Sequence, residues 1–350
     1  MRINFSTAIN QALHESMKID DSVICFGLGV NDPKSIFGTT MNLENSFGSH
    51  RVFDTPTSEN AMTGIGIGAA LNGTKVIMTH QRLDFALLAI DQIVNGAAKW
   101  YYMFGSQKPV PITIRLIIGR GWGQGPTHSQ NLQSWFAHIP GLKVVMPTTP
   151  ADAKGLLMSS IFDPNPVIFL EHRWLHNTLG EVQSGEFRLP LGKAKIVKNG
   201  TDITIVSMSY MTIEAIHAAA YLEKKGVSCE IVDLRTVNPI DWDAVFSSVK
   251  KTGRIIALDS GCTTGSIAGE IIARTSMEFF TVLKSPPARL AMPDVPEPTS
   301  FALTKDFYIR ASDIAETILR VMQMDYSNVK TDLVDPSPHD VPGDWFKGPF

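Results

Sequence analysis

The chain has 350 residues, of which 44% are hydrophobic and 19% are charged. At roughly 100 to 200 residues per domain, this length predicts about two domains and excludes a small fold held together by disulfides. The 31 basic and 34 acidic residues leave a net charge of -3. No broad cationic surface is therefore expected, and nucleic acid or an anionic membrane is a poor candidate partner.

The cysteines and the N-terminal segment indicate the compartment. Cys25, Cys229 and Cys262 lie far apart and lack the spacing of a zinc site, so we expect free thiols and a reducing environment. The first twenty residues mix apolar with polar and charged positions, unlike a secretory or transit peptide. No apolar run reaches the roughly 18 residues of a membrane span. The sequence thus predicts a soluble cytoplasmic protein.

Short apolar runs alternate with segments of helical period, a pattern typical of βα units around a parallel sheet. The predicted strands of the first half are 75–78, 112–117, 143–146 and 167–170. The predicted helices of the first half are 58–71, 84–103, 129–137 and 150–161, the last with Thr149 as its N-cap.

A second series of the same kind follows a stretch, 181–200, that has no sustained period and is interpreted as a linker. Its predicted strands are 203–207, 228–232 and 255–259. Its predicted helices are 212–225, 241–249, 266–279 and 311–322. We therefore expect an α/β protein with a first domain over 1–180, a second over 201–324, and an extended, proline-containing tail over 325–350 that wraps a surface.

Three stretches contain candidate functional residues. Glu59 begins a helix that contains Gly64, Gly66 and Gly68, and glycines in a helix usually mark close approach of a backbone or ligand. The carboxylate could equally complement the helix dipole without any catalytic role.

The second stretch, 119–130, has four glycines between a strand and a helix and contains His128. Such a loop suits a mobile active-site segment or a phosphate cradle, although neither the Walker A nor the dinucleotide pattern is present. His128 is either a proton-transfer group or a capping residue. The third stretch, 80–86, ends a predicted strand, where ligands collect in parallel sheets. Gln81 is there a candidate pocket residue, whereas Phe85 alone would suit ordinary core packing.

Taken together, these stretches resemble the β subunit of the E1 component of 2-oxo acid dehydrogenases (pyruvate dehydrogenase E1 β-like), a thiamine diphosphate enzyme of the transketolase superfamily. The resemblance extends from about residue 3 to residue 322. It rests on the order and spacing of DTPTSENAMTGIGIGAALNG, AIDQIVNGAAKWYYM, GQGPTHSQNLQSWFAHIPGLKVVMPTTPADAKGLL, DPNPVIFLEHRWL, DLRTVNPID and PDVPEPTSFAL. It implies a transketolase-like pyrimidine-binding domain followed by a transketolase C-terminal domain.

The resemblance also implies roles for matched positions. Glu59 corresponds to the glutamate that hydrogen-bonds the aminopyrimidine ring of thiamine diphosphate, Phe85 to the aromatic residue that stacks on that ring, and Gln81 to a polar neighbour of the cofactor. His128 corresponds to the histidine that orients the substrate or the lipoyl group. A structural potassium site is implied at Ile112, Ser160, Ile161, Asp163 and Asn165.

The chain lacks the Gly-Asp-Gly that anchors Mg²⁺ and the diphosphate in this superfamily. The resemblance therefore implies an α-type subunit that holds Mg²⁺, an α2β2 heterotetramer, and a lipoyl-bearing E2 as acyl acceptor for a 2-oxo acid substrate. The substrate stays open because Thr79, His80 and Arg82 depart from the family pattern.

Two other functions stay open at this point. His80 and Arg82 could bind an anionic or hydroxylated acceptor, which favours the C-terminal half of a split transketolase-like enzyme. A scaffold that has lost the chemistry is the other, and the joint presence of Glu59, Phe85 and His128 argues against it.

Overall fold

The computed structural model describes residues 1–121, 123–334 and 337–346. The strands are β1 Arg2–Asn4, β2 Val23–Gly27, β3 Val52–Asp54, β4 Lys75–His80, β5 Ile112–Ile118, β6 Lys143–Val145, β7 Val167–His172, β8 Leu179–Glu181, β9 Lys195–Lys198, β10 Ile203–Ser207, β11 Cys229–Asp233, β12 Thr236–Asn238, β13 Ile255–Cys262 and β14 Ala288–Met292. The α-helices are α1 Phe5–Ile19, α2 Ser35–Gly38, α3 Leu43–Phe47, α4 Glu59–Leu71, α5 Leu83–Ala86, α6 Ala98–Met103, α7 Gln133–Ala137, α8 Pro150–Ile161, α9 Tyr210–Lys224, α10 Trp242–Thr252, α11 Ile267–Phe279, α12 Ala311–Val321 and α13 Val329–Asp332.

Two main sheets organise these elements, in agreement with the predicted α/β class. The first has the strand order β12-β6-β7-β5-β4-β2-β3, and the second has the order β14-β13-β10-β11-β9. The strands from β6 to β3 run parallel, so their carboxyl ends meet at one edge. Central strands such as β5 and β7 are buried on both faces, in agreement with their largely apolar sequences.

The two halves of the chain are joined through the sheets themselves. Strand β12 comes from the second half, yet it pairs antiparallel with β6 in the first sheet. Arg235 reinforces this junction, because its Nη1 donates to Asp152 Oδ1 at 3.3 Å and its Nε donates to the Lys193 carbonyl at 3.1 Å. The segment expected to be a linker is not irregular throughout, since β9 lies in it and forms an edge of the second sheet.

One helix prediction for the first half was wrong, and another was right in extent but incomplete. Residues 83–103 are helical throughout, as predicted for 84–103, but the helix type changes along the run from α5 through a 3₁₀ turn Leu87–Ala89 and a π-helical segment Gln92–Ala97 to α6. The predicted helix 129–137 begins only at Gln133, because Gln130 bonds to Asp84 and holds the preceding residues outside the helix. Helix α8 has the predicted bounds, and Thr149 Oγ1 caps it by accepting from the Asp152 N–H at 3.1 Å.

The 325–350 region contains helix α13, whose Val329 is buried in the core. Residues 337–346 then pass back to the first domain, where the Trp345 indole donates to the Trp174 carbonyl at 2.9 Å. Within the described ranges, no helix is long and apolar enough to cross a lipid bilayer.

Candidate active site at the carboxyl edge of the first sheet

The predicted site residues gather where the parallel strands of the first sheet end. Gln81 directly follows β4, the glycine-rich segment that begins at Gly119 follows β5, and Glu59 follows β3 after a four-residue connection. This edge is where open α/β sheets bind ligands, because loops from neighbouring strands diverge there and leave a crevice.

Glu59 is the first residue of α4 and is only 7% exposed. Its carboxylate makes no hydrogen bond or ion pair with any of the described residues, while its carbonyl accepts from Thr63 Oγ1 at 2.7 Å. Position in the first helical turn is favourable for a carboxylate. A nearly buried carboxylate without a partner is nevertheless costly, unless a bound group supplies a hydrogen-bond donor.

Phe85 and His128 are brought together although 43 positions separate them in the sequence. Their ring centroids lie 5.2 Å apart with an interplanar angle of 90°, an edge-to-face contact. Phe85 is half-buried in α5 and His128 is exposed. The loop is fixed beside α5 because the Gln130 side-chain amide donates to Asp84 Oδ1 at 2.8 Å. One ring face of a planar cofactor could thus be covered by Phe85, with an imidazole beside it.

His128 is held by its own loop. Its backbone N–H donates to the Gly125 carbonyl at 3.0 Å, and its Nδ1 lies 3.0 Å from the Thr127 hydroxyl oxygen. Its Nε2 makes no hydrogen bond within the described ranges. The imidazole is therefore oriented from one side and available for proton exchange on the other.

Gln81 is exposed and lies against Gly29 in the loop after β2. Gly29 has a φ of +78°, and a Cβ there would collide with the Gln81 side-chain amide. The glycine thus permits both the left-handed backbone and the close approach of Gln81.

Arg82 and His80 are both buried, which the sequence did not reveal. Arg82 is 3% exposed, its Nη1 donates to the Gly119 carbonyl at 2.6 Å, and its Nη2 donates to Gln124 Oε1. Burial lowers the pKa of Arg82 to about 10. Arg82 therefore braces the glycine-rich segment from inside. His80 is fully buried, and both its ring nitrogens lack hydrogen-bond partners among the described residues.

The second domain also reaches this edge, which the sequence did not predict. A cavity of about 580 Å³ lies between the loop at Pro126 and Gln130 and second-domain residues that include Cys262 and Glu297. Glu297 Oε1 accepts from the Tyr308 hydroxyl at 2.5 Å, and burial raises the pKa of Glu297 to about 7. A carboxyl group with that pKa can gain or lose a proton near neutrality. The only sequence signal was its place in the quoted motif PDVPEPTSFAL.

The residues of the implied potassium site also come together. Asp163 N–H donates to the Ser160 carbonyl at 3.1 Å, and the Asn165 N–H donates to Asp163 Oδ1 at 2.9 Å. Ile112 precedes Thr113, which pairs with Val167, so β5 begins beside this turn. Asn165 Oδ1 is buried without a donor among the described residues, which suits an oxygen ligand of a cation.

Lys143 forms an ion pair with one of the residues of that site. Its ammonium lies 2.5 Å from Asp163 Oδ2 and neutralises one carboxylate oxygen. A cation there would depend mainly on the Asn165 oxygen and on carbonyls.

Comparison with known families matches both halves of the chain. The model of the transketolase pyrimidine-binding domain matches residues 1–177, and that of the transketolase C-terminal domain matches residues 192–314. A solved structure of a split-gene transketolase, described as an inactive β4 tetramer, has a TM-score of 0.74 at 21% identity and covers 92% of this chain and 99% of that chain. At this identity, the likeness shows the fold alone.

Curated relatives are more similar in sequence. The pyruvate dehydrogenase E1 component subunit beta of Rhizobium meliloti is 42% identical over 90% of this chain and 68% of its own length. The acetoin:2,6-dichlorophenolindophenol oxidoreductase subunit beta of Cupriavidus necator is 40% identical over 92% and 98%. The 2-oxoisovalerate dehydrogenase subunit beta of Bacillus subtilis is 38% identical over 91% and 98%.

Proposed function

Because this chain belongs to the E1 β-subunit family of 2-oxo acid dehydrogenases, within the transketolase superfamily, we propose that it is the β subunit of a thiamine diphosphate-dependent enzyme that decarboxylates a 2-oxo acid. The acyl group would pass to a lipoyl-bearing E2. The observation that carries this proposal is the nearly buried, unpaired Glu59 carboxylate at the same sheet edge as the Phe85 and His128 pair.

The residues present fit the pyrimidine end of that cofactor. When bound, thiamine diphosphate supplies a thiazolium carbon that adds to the ketone of the substrate and accepts the electrons released as carbon dioxide leaves. Glu59 would accept a hydrogen bond from the ring, which gives its unpaired carboxylate a partner and holds a proton at the pyrimidine nitrogen. Phe85 would cover one ring face, and Gln81 would line the pocket.

His128 would orient the substrate or the lipoyl group. In the tautomer in which the Thr127 hydroxyl donates to Nδ1, the neutral ring carries its proton on Nε2, and this proton can be donated to an oxygen or a sulfur. The exposure of His128 suits a group that meets a large acyl acceptor. Its edge-to-face contact with Phe85 keeps that imidazole beside the ring that Phe85 covers.

An α-type subunit would complete the site in an α2β2 heterotetramer. The chain has no Gly-Asp-Gly, and its described residues contain no group of three His, Cys, Asp or Glu side chains suited to a metal. Mg²⁺ and the diphosphate would be held by that partner. The named relatives are themselves called beta subunits, which supports the same arrangement.

The alternative function, the C-terminal half of a split transketolase-like enzyme that binds an anionic or hydroxylated acceptor, is no longer supported by the observation that favoured it. It rested on His80 and Arg82 as binding groups, but both side chains are buried, and Arg82 bonds to the chain's own Gly119 and Gln124. We therefore retain the 2-oxo acid reaction, with pyruvate or a branched-chain 2-oxo acid as candidate substrates. Acetoin, named for one relative, is a third candidate; it is a hydroxy ketone, so its cleavage would release an aldehyde instead of carbon dioxide.

The test is cofactor binding and turnover by the complex with its α-type partner. We expect titration calorimetry to detect thiamine diphosphate binding in the presence of Mg²⁺, and dichlorophenolindophenol to be reduced with at least one of the three candidate substrates. The Glu59→Gln complex serves as the matched variant and should bind the cofactor more weakly. A correctly assembled complex that binds no thiamine diphosphate would contradict the proposal.

We also propose a structural potassium ion at Ile112, Ser160, Ile161, Asp163 and Asn165. The buried Asn165 oxygen without a donor supports it. Thermal unfolding should occur at a higher temperature in KCl than in tetramethylammonium chloride of equal ionic strength. Asn165→Ala should abolish that difference, and equal midpoints in the two salts for the unaltered chain would exclude the site.

A further inference from the structure

The segment 337–346 is fastened to both domains. Arg310 Nη2 donates to the carbonyls that flank Asp340, at 2.9 Å for His339 and 2.6 Å for Val341. Six residues after His339, the Trp345 indole donates to the Trp174 carbonyl at 2.9 Å. This part of the chain lies beyond the residues that the family models match. We call residues 337–346 the strap.

Asp340 is the charged contact of the strap. Its Oδ2 accepts from Arg120 Nη2 at 3.1 Å, and the Arg120 side chain is almost fully buried. Arg120 also donates to the Pro298 carbonyl at 2.6 Å and to the Thr299 carbonyl at 3.2 Å. Asp340 is the anion that Arg120 contacts among the described residues. Without it, a buried guanidinium would keep two carbonyl acceptors but lose its direct ion-pair partner, which is a costly arrangement. Glu297, on whose pKa the charge of Arg120 acts, would be the carboxyl group that remains nearby.

Arg120 connects this contact to His128 through two further steps. Arg120 lies in the glycine-rich segment and binds the Thr299 carbonyl, while the Thr299 side chain packs directly on Gly125, where a Cβ would collide with its hydroxyl. The Gly125 carbonyl then accepts from the His128 N–H at 3.0 Å. The ion pair is thus coupled to His128 by a series of contacts separate from those that Arg82 makes with Gly119 and Gln124.

We propose that Asp340 is a positioning residue, which acts through Arg120 to hold the glycine-rich segment and thereby His128 in place for the reaction. The role of His128 rests on the proposed function, whereas the fastening of Arg120 by the strap does not. The charge of Asp340 is the important property, because the neighbouring backbone contacts of the strap are made by Arg310 and Trp345.

The chain offers a matched pair of variants for the test. Asp340→Asn removes the charge and keeps the shape, whereas Asp344→Asn makes the same change four residues later at an exposed carboxylate with no described hydrogen bond or ion pair. Deletion of the strap would be less informative, because Trp345 and Phe346 pack on the core and their loss could unfold the chain.

Hydrogen exchange of the full chain is the primary measurement. We expect peptides over 117–131 to exchange about fivefold faster or more in Asp340→Asn than in Asp344→Asn, because the loop opens locally to solvate Arg120. Peptides from the strands β10, β11 and β13 should be unchanged. Equal exchange over 117–131 in the two variants, or faster exchange throughout the chain, would overturn the proposal.

Kinetics of the complex with the α-type subunit are the second measurement. In Asp340→Asn we expect kcat to fall about tenfold with a smaller change in KM, since misplacement of a reacting group acts mainly on the chemical step. Asp340→Glu should recover most of that loss, and Asp344→Asn should stay within about twofold of the unaltered enzyme. A loss confined to KM, or no rescue by glutamate, would overturn positioning. Absence of turnover in the unaltered complex as well as in the variants would contradict the proposed function. The hydrogen-exchange result would then still test whether Asp340 holds the glycine-rich segment.

Discussion

The two sheets have the same parallel architecture, but the helices that follow their strands differ. In the second domain, β10 leads into the unbroken fifteen-residue α9, and α11 has a side-chain N-cap. In the first domain, the stretch after β4 is divided into α5, a 3₁₀ turn, a π-helical segment and α6. Segments of π-helix are uncommon and are frequently found at functional sites.

Buried polar groups differ in the same way. In the second domain, the Thr204 hydroxyl lies 2.7 Å from Ser248 Oγ and 2.8 Å from Thr252 Oγ1, so that cluster is satisfied. At the edge of the first sheet, both ring nitrogens of His80 are buried without a partner, and the Glu59 carboxylate makes no hydrogen bond or ion pair, among the described residues. Unsatisfied buried groups cost stability, and the second domain also has some, such as Thr275 Oγ1. What distinguishes His80 and Glu59 is that they lie at the same sheet edge as the Phe85 and His128 pair.

The largest expected effect is loss of turnover at Glu59. Glu59→Ala should lower kcat by about 10³-fold, because an acid-base contribution of roughly 10² to 10⁴ is removed. Its free energy of unfolding should not fall by more than about 1 kcal/mol, since the fold would lose only a helix-dipole contribution and would be relieved of an unpaired, nearly buried carboxylate. Turnover assays and urea unfolding of the same preparations provide both values.

The control for Glu59 lies in the second domain. Glu270 is also a glutamate in the first turn of a helix, α11, but it is exposed. Glu270→Ala should have a similarly small effect on stability and none on turnover. If the two variants behaved alike in turnover, Glu59 would be only a helix-dipole residue and the contrast between the two regions would fail.

The converse effect is expected in the second domain. Leu258 in β13 is fully buried, so Leu258→Ala should lower the free energy of unfolding by roughly 2 to 5 kcal/mol through lost burial and a cavity. The kcat of the folded fraction should be unchanged, because the residue contacts no predicted site group. Urea unfolding and active-site titration would measure the two quantities. A loss of kcat that exceeds the loss of folded protein would show that the second domain does more than support the site.

Sequence reasoning predicted the regular parts of the fold well. Strands such as β10 and helices such as α8 show unambiguous periods and caps, because local pattern and tertiary structure agree there. Helix α1 was not predicted, although Asn4 caps it and Phe5, Ile9 and Met17 give it a clear apolar face. The signal was present in the sequence for α1, but the changes of helix type between 83 and 103 accompany packing against α4, which no local pattern records.

The site was predictable only in part for a related reason. Glu59, Phe85 and His128 were found from the family resemblance, and the contact between Phe85 and His128 follows from the parallel strand order. The buried network of Arg82, Gly119 and Gln124 and the contact of Asp340 with Arg120 join residues that lie far apart in the sequence. Such long-range polar contacts have no period, so a single sequence does not reveal them.

A smaller effect is expected from pH at His80. Burial lowers the pKa of His80 to about 4, below the 6.5 of the unfolded chain, so the unfolded state takes up a proton first as the pH falls. The stability that neutral His80 contributes is present above pH 6.5 and is lost towards pH 4. Between pH 7 and pH 5 the loss is about 2 kcal/mol.

His80→Gln tests this linkage because it removes the titrating group and keeps a polar side chain. The difference in unfolding free energy between pH 7 and pH 5 should shrink by about 2 kcal/mol relative to the unaltered chain. His217→Gln is the control, since His217 is exposed in α9 and meets water in both states. If the difference in unfolding free energy between pH 7 and pH 5 were as large in His80→Gln as in the unaltered chain, the His80 ring would be solvated or hydrogen-bonded. The first sheet edge would then contain fewer unsatisfied polar groups than described.

The smallest expected effect compares the N-caps of two helices. Ser266 Oγ accepts from the Gly269 N–H at 3.1 Å and is mostly buried, whereas Ser58 before α4 makes no capping hydrogen bond and is exposed. Ser266→Ala should therefore cost about 1 kcal/mol, and Ser58→Ala should cost less than about 0.3 kcal/mol. Urea unfolding of both variants is sufficient to measure this. An equal loss of unfolding free energy in Ser58→Ala would mean that this serine caps α4 in solution. The N-terminal N–H groups of α4 would then be as well hydrogen-bonded as those of α11.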